Sequence, residues 1–169
     1  TAGDLQSQAS DTGSETQEQV ANQIEVTHAV GEMIEDSHDN SGDADNNVST
    51  LNFTIMKSAG SDVIDLNSTT VQYTSATADE TLQHTEEDNV GDLASDEFMT
   101  TDIVGSNSDS LTNSEDRVKI SLNVEEIENG LGLEGGDSAT IRIVDQSGAQ
   151  FSYGVSVPST IEDYNVVEV

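Results

Sequence analysis

The chain has 169 residues, of which 34 are acidic and four basic, giving a formal net charge of -30. Four scattered bases cannot neutralise a phosphate backbone or an anionic bilayer surface, which excludes nucleic acid and membrane surfaces as direct partners. With no cysteine there is neither a disulfide framework nor a thiolate metal site.

The length fits one domain, or one domain with tails. Only 33% of residues are apolar and 4% aromatic, a composition that by itself leans toward disorder. Alternating apolar runs over half the chain argue the other way, so the acids belong on surfaces and loops. So high a charge repels itself, and screening relieves it: the Debye length falls from about 10 Å at 0.1 M salt to about 3 Å at 1 M. The composition is that of a halophile's protein surface. No run of 18 apolar residues is long enough to span a bilayer, and no signal peptide is visible. A start at Thr1 without an initiator Met suggests a processed or trimmed product.

Residues 1–19 are polar and rich in Ser, Gln and Glu, which reads as a leader without structure of its own. Alternation through Ile24-Glu25-Val26-Thr27-His28 predicts a first strand over about 23–30. Residues 35–47 are an acidic, Gly-punctuated loop. Leu51, Phe53 and Ile55 mark a second strand, Val63 to Leu66 a short third, and Thr70 to Thr74 a fourth. Residues 75–97 read as polar connection with Leu82 and Leu93 as isolated anchors, 98–104 as another strand, and 105–116 as a loop. Then come the clearest alternations: Val118, Ile120, Leu122 and Val124; Ala139, Ile141 and Ile143; Phe151, Tyr153, Val155 and Val157. Asp145-Gln146-Ser147-Gly148 connects the last two runs as a hairpin. Seven or eight short strands without a long helix describe an all-β immunoglobulin-like antiparallel β-sandwich, with a small antiparallel barrel as the alternative.

Three stretches could carry chemistry. Gly136-Asp137-Ser138-Ala139 has the look of a serine-hydrolase nucleophile turn, yet such a serine needs a base, and nothing marks His28, His38 or His84 as one. The same residues suit a turn before a strand, and no catalytic residue is expected. Asp36, Asp39, Asp43 and Asp45 crowd one loop with Ser41, Gly42 and Asn46, but their spacing is not that of an EF-hand; loose cation screening is expected rather than a metal site. Neither a cofactor nor a small-molecule substrate is expected. Asn47-Val48-Ser49, Asn52-Phe53-Thr54 and Asn67-Ser68-Thr69 fit the N-glycosylation pattern. With 12 Asn and 38 Ser or Thr, chance gives about three such sequons, so only placement argues for use: Asn52 on the outward phase of its strand, Asn47 and Asn67 in flanking turns.

Arg117-Val118-Lys119-Ile120, Ile127-Glu128-Asn129-Gly130-Leu131-Gly132 and Val157-Pro158-Ser159 together resemble the C-terminal half of haloarchaeal archaellins, subunits of the archaeal motility filament. Thr1-Ala2-Gly3 and Leu5-Gln6-Ser7 resemble the point where that family's long N-terminal helix gives way to its outer domain. Two departures stand out: the apolar helix expected ahead of Thr1 is absent, and Asp4 replaces an apolar or aromatic residue. The resemblance implies that residues 1–19 are the end of a helix and a linker, and that 20–169 form the outer β-sandwich domain. It further implies an extracellular, non-enzymatic filament subunit with glycan on some of Asn47, Asn52 and Asn67. Its partners would be other copies of itself and other archaellins, with membrane contact only through the missing helix during assembly. The alternative from another class is a secreted adhesion, pilus or surface-layer β-domain of a halophile.

Overall fold

A computed structural model describes residues 24–33, 47–105, 108–159 and 166–169. The described strands are β1 (Ile24–Met33), β2 (Val48–Lys57), β3 (Ile64–Asp65), β4 (Thr70–Ser75), β5 (Asp79–His84) and β6 (Glu97–Val104). They continue with β7 (Ser110–Leu111), β8 (Arg117–Asn123), β9 (Ser138–Val144), β10 (Gln150–Ser156) and β11 (Val166–Glu168). Among the described residues, helix is confined to α1 (Val124–Ile127) and two 3-10 turns, Leu66–Ser68 and Val90–Asp92. The expected leader at 1–19, the acidic loop at 35–47 as far as residue 46, and His38 lie outside the described residues.

Nine strands join one sheet in the order β10-β9-β4-β5-β6-β8-β2-β1-β11, and β3 pairs with β7 apart from it. Strands at opposite ends of that order meet: the Tyr153 hydroxyl on β10 donates to the carbonyl of Val169, just past β11, at 3.2 Å. Phe53 of β2 and Tyr153 stack edge to face with centroids 5.8 Å apart. The sheet is therefore doubled over on itself, and its apolar faces enclose one core. Leu51, Phe53 and Ile55 of β2 stand opposite Leu122, Ile120 and Val118 of β8, and face Val71, Tyr73, Leu82, Ile141 and Ile143 from the other half, all of them at most 1% exposed. Period-two alternation places these side chains on one face of each strand, and burying that face holds the sandwich together.

The fold lies at the β5–β6 seam, where only Gln83–Glu97 and His84–Phe98 are paired, and in parallel. The expected antiparallel β-sandwich is what the strands build, and among the described pairings this seam alone is parallel. A parallel neighbour cannot be reached by a hairpin, and residues 85–96, with their 3-10 turn, supply the crossover. β5 is also a strand where a polar connection was expected. Leu82 is its one buried side chain, so no alternation shows, and pairing with β4 from Thr70–Gln83 to Thr74–Asp79 makes the strand. β7 and β11, at two and three residues, are too short to show a period. β1 runs to Met33, past its expected end near Val30, with irregular register at Val26/His28 and Glu32/Met33.

The Ile127-to-Gly132 segment is fastened to the start of β2. Asn123 caps α1 by accepting from the Glu126 amide at 3.3 Å. The helix unwinds through Asn129 and Gly130, both at positive φ (58° and 89°), and the Gly130 amide reaches back to the Glu125 carbonyl at 2.7 Å. Val48 and Leu133 then exchange two backbone hydrogen bonds, of 2.8 and 3.0 Å. Between them Gly132 has φ +68°, and a Cβ there would sit 2.5 Å from the Val48 carbonyl oxygen. Replacing Gly132 with Ala is expected to destabilise the domain by more than about 1 kcal/mol, through both the backbone conformation and the clash. Denaturant melts in molar salt would measure it. An unchanged midpoint would show that the loop yields without cost.

Candidate functional site

One polar group ties distant elements together: the carboxylate of Glu128, at the C-terminal cap of α1 and only 5% exposed. The Tyr73 hydroxyl donates to its Oε1 at 2.7 Å, and the Thr77 hydroxyl donates to Oε2. Tyr73 comes from the middle of β4 and Thr77 from the β4–β5 turn, so one carboxylate ties three elements together. Burial foremost, then the hydrogen bond to Glu128 and its charge, push the Tyr73 hydroxyl far above the ordinary tyrosine range. The phenol therefore stays protonated and donating. This arrangement fixes shape. The sequence placed Tyr73 on a strand, the structure turns it inward, and a buried Tyr hydroxyl needs a partner; that Glu128 supplies it depends on how α1 docks.

The Gly-Asp-Ser-Ala stretch is a turn into β9. Asp137 Oδ2 accepts from the Glu134 amide at 3.1 Å, the Asp137 amide donates to the Glu134 carbonyl at 3.0 Å, and Gly136 has φ +93°. Ser138 is exposed beside an open cleft of about 430 Å³ whose lining contains Thr77 and Asp137 but no histidine. His84, in the stretch expected to be a polar connection, instead ends β5, where its Nε2 meets Thr100 Oγ1 at 2.8 Å and its ring stacks edge to face on Phe98. His28 is exposed on β1. No group of three or more metal-ligating side chains is present among the described residues.

The three sequons differ in surroundings. Asn47 is 7% exposed, and its Nδ2 donates to the Leu131 carbonyl at 2.7 Å. Asn52 is only 6% exposed, which corrects its expected outward placement. The strand phase is right, but Glu32 reaches across from β1 to accept from Asn52 Nδ2 at 2.8 Å, and Ser121 donates to its Oδ1 at 2.6 Å. Asn67 alone of the three is exposed, in the 3-10 turn after Asp65.

The bases serve the backbone as much as the surface. Lys57, 7% exposed, donates to the Ser61 carbonyl at 2.8 Å. Arg117 donates to the carbonyls of Ser114 and Asp116 at 2.8 and 2.9 Å. The Asn113 amide foremost, with those of Thr112 and the Lys57 charge helping, holds the Asp116 carboxyl below the usual carboxylate range. Its contribution to stability is thus present above the ordinary carboxylate pKa and is lost as pH falls through the lowered one.

Two broad strand faces look outward. On one, the cross-strand row His28-Thr54-Lys119-Thr101 runs over β1, β2, β8 and β6, with Glu25, Glu32 and Glu168 along its β1–β11 side. On the other, the rows Thr81-Gln72-Arg142-Ser152 and Asp79-Thr74-Thr140-Gly154 run over β5, β4, β9 and β10. Arg142, at the middle of this second face, is exposed and bonded at 3.5 Å to Gln72.

Comparison with known proteins gives this arrangement its context. A family model described as archaeal-type flagellin matches residues 1–155. Flagellin A2 of Halobacterium salinarum is 32% identical over 171 residues, covering 100% of this chain and 80% of that protein. Flagellin B2 of the same organism is 34% identical over 168 residues, covering 99% and 80%. The fold is similar to that in the crystal structure of archaeal flagellin FlaB1 from Methanocaldococcus jannaschii, with a TM-score of 0.69 at 13% identity over 86% of this chain and 94% of that one. It is also similar to the archaeal flagellum of Methanospirillum hungatei strain JF1, with a TM-score of 0.55 at 17% identity over 97% and 81%. The family match and the near full-length identities decide the matter: the chain belongs to the archaeal-type flagellins, and it is a structural subunit of the extracellular archaellum filament.

Proposed function

We propose that residues 20–169 are the outward-facing β-domain of this archaellum subunit and that residues 1–19 link it to the filament's core. The observation that carries this reading is the doubled sheet, closed by the Tyr153–Val169 contact around a core of its own, with every described acid but Glu128 and Asp145 outside the buried interior. Such a domain bears load and shields the filament, and its buried polar groups hold shape rather than perform chemistry. Its partners are other copies of the chain and other archaellins. Antibodies raised against 20–169 should decorate intact native filaments along their whole length. Decoration confined to broken ends would place the domain inside and overturn the proposal.

Glycan, on this reading, goes to Asn67. Its side chain is exposed, whereas the acceptor nitrogens of Asn47 and Asn52 are engaged and buried. Peptide mass spectrometry of protein from its native host should show added mass on the peptide with Asn67 and bare Asn47 and Asn52. Bare Asn67 in that material would sink the assignment.

A further inference from the structure

The outward face of β5-β4-β9-β10 departs from the rest of this surface in its charge. Acids make up 34 of 169 residues, yet the outward positions of these four strands hold one acid, Asp79, and one base, Arg142. The others are Ser, Thr, Gln, Gly and a single Val. Glu80, paired with Tyr73, belongs to the inward phase. The face is not spared acid by burial, since Thr74, Thr81, Thr140, Arg142 and Ser152 are all exposed. The opposite face, by contrast, carries three glutamates along one side.

A second observation comes from Gly154, exposed in the middle of β10. Its φ lies outside the range that excludes side chains, and a Cβ added there would meet nothing within 4 Å. The domain's own packing thus has no use for the missing side chain. Glycine inside a strand weakens it and often marks the close approach of another backbone, and no part of the described chain makes that approach here.

From these we infer that this face, centred on Arg142 and opened at Gly154, packs against an acid-bearing surface of a second copy of this chain in the filament. The inference rests on the archaellum reading above. Like-charge repulsion between copies is least where the acids are missing, and Arg142 supplies the one opposite charge to a neighbour of net charge -30. A contact between different faces of successive copies is the kind that propagates into a helical filament. Four strands of about seven residues give a face of roughly 20 Å by 20 Å, or about 400 Å² per partner. That is too little for a stable dimer, so the contact acts together with assembly contacts made elsewhere, and the filament needs both.

The test uses the complete gene in a haloarchaeal host that lacks its own archaellins. These 169 residues hold no cysteine, so single substitutions Thr140→Cys, Ser152→Cys and, as control on the exposed turn after β2, Ala59→Cys each add one maleimide site, with the unsubstituted protein as the blank. In intact filaments the first two should react at least about tenfold more slowly than in dissociated subunits, while Ala59→Cys reacts alike in both. Gly154→Gln, which the isolated fold accommodates, should yield subunits of normal thermal stability but few or no filaments, and Arg142→Glu likewise. Equal labelling in filaments and subunits, or normal filaments from Gly154→Gln, would overturn the assignment of this face. No filaments from the unaltered gene would overturn the archaellum reading, and this inference with it.

Discussion

Lowering the salt from about 3 M to about 0.05 M should unfold this domain, or lower its melting temperature by tens of degrees. Two unit charges 10 Å apart in water repel by about 0.4 kcal/mol, and a net charge of -30 on one small sandwich makes many such pairs. At 0.05 M the screening length exceeds the spacing of neighbouring acids, whereas at molar salt, near 3 Å, it falls below it. Each kcal/mol of repulsion removed raises the melting temperature of a chain this size by about 2–4 °C. Four bases relieve little of this, Lys57 helping to hold Asp116 ionised. Lys57 and Arg117 are bound to backbone carbonyls, and Arg142 stands apart on an acid-poor face. Circular dichroism melts across the salt range measure the effect, with a sucrose series to separate charge screening from general exclusion. Equal melting temperatures at both ends of the range would mean that the loops spread the charge too widely to matter.

The sequence showed plainly those strands that turn an alternating apolar face to the core. β2, β8, β9 and β10 read directly from alternation because Leu51, Ile120, Ile141 and Val155 each point into the same core. β5 could not be read this way: its single buried residue gives no period, and its existence depends on β4 beside it. Phase was legible where cover was not. Asn52 does stand opposite the core, as its position in β2 requires, but a glutamate on the next strand closes over it, and no pattern within β2 announces that. The motif Ile-Glu-Asn-Gly-Leu-Gly was conspicuous as a string. Its reason is three-dimensional: two residues unwind α1, Gly132 slides beneath the Val48 carbonyl, and Glu128 is left pointing at Tyr73.

That last contact carries the largest expected effect of any single substitution. Tyr73 is fully buried, and Tyr73→Ala removes its ring from the core, at a cost of about 3–5 kcal/mol, while also orphaning Oε1 of a buried carboxylate. Tyr73→Phe isolates the second part. The ring remains, the hydrogen bond to a charged acceptor goes, and about 1.5–3 kcal/mol should be lost. Adding Glu128→Leu to Tyr73→Phe should recover part of that loss, because removing both partners leaves no unpaired charge in the interior. The pH dependence supplies an independent check. Because folding raises the Tyr73 pKa, its contribution is complete below the ordinary tyrosine value of about 10 and shrinks as pH rises above it, since the unfolded chain ionises first. Wild type should therefore lose stability more steeply than Tyr73→Phe above pH ~10, the remaining tyrosines being common to both. Denaturant melts in molar salt at neutral and alkaline pH give both readings. If Tyr73→Phe matches wild type at neutral pH and keeps the same alkaline slope, water serves Glu128 as well as the phenol does, and the carboxylate does not hold α1 to β4.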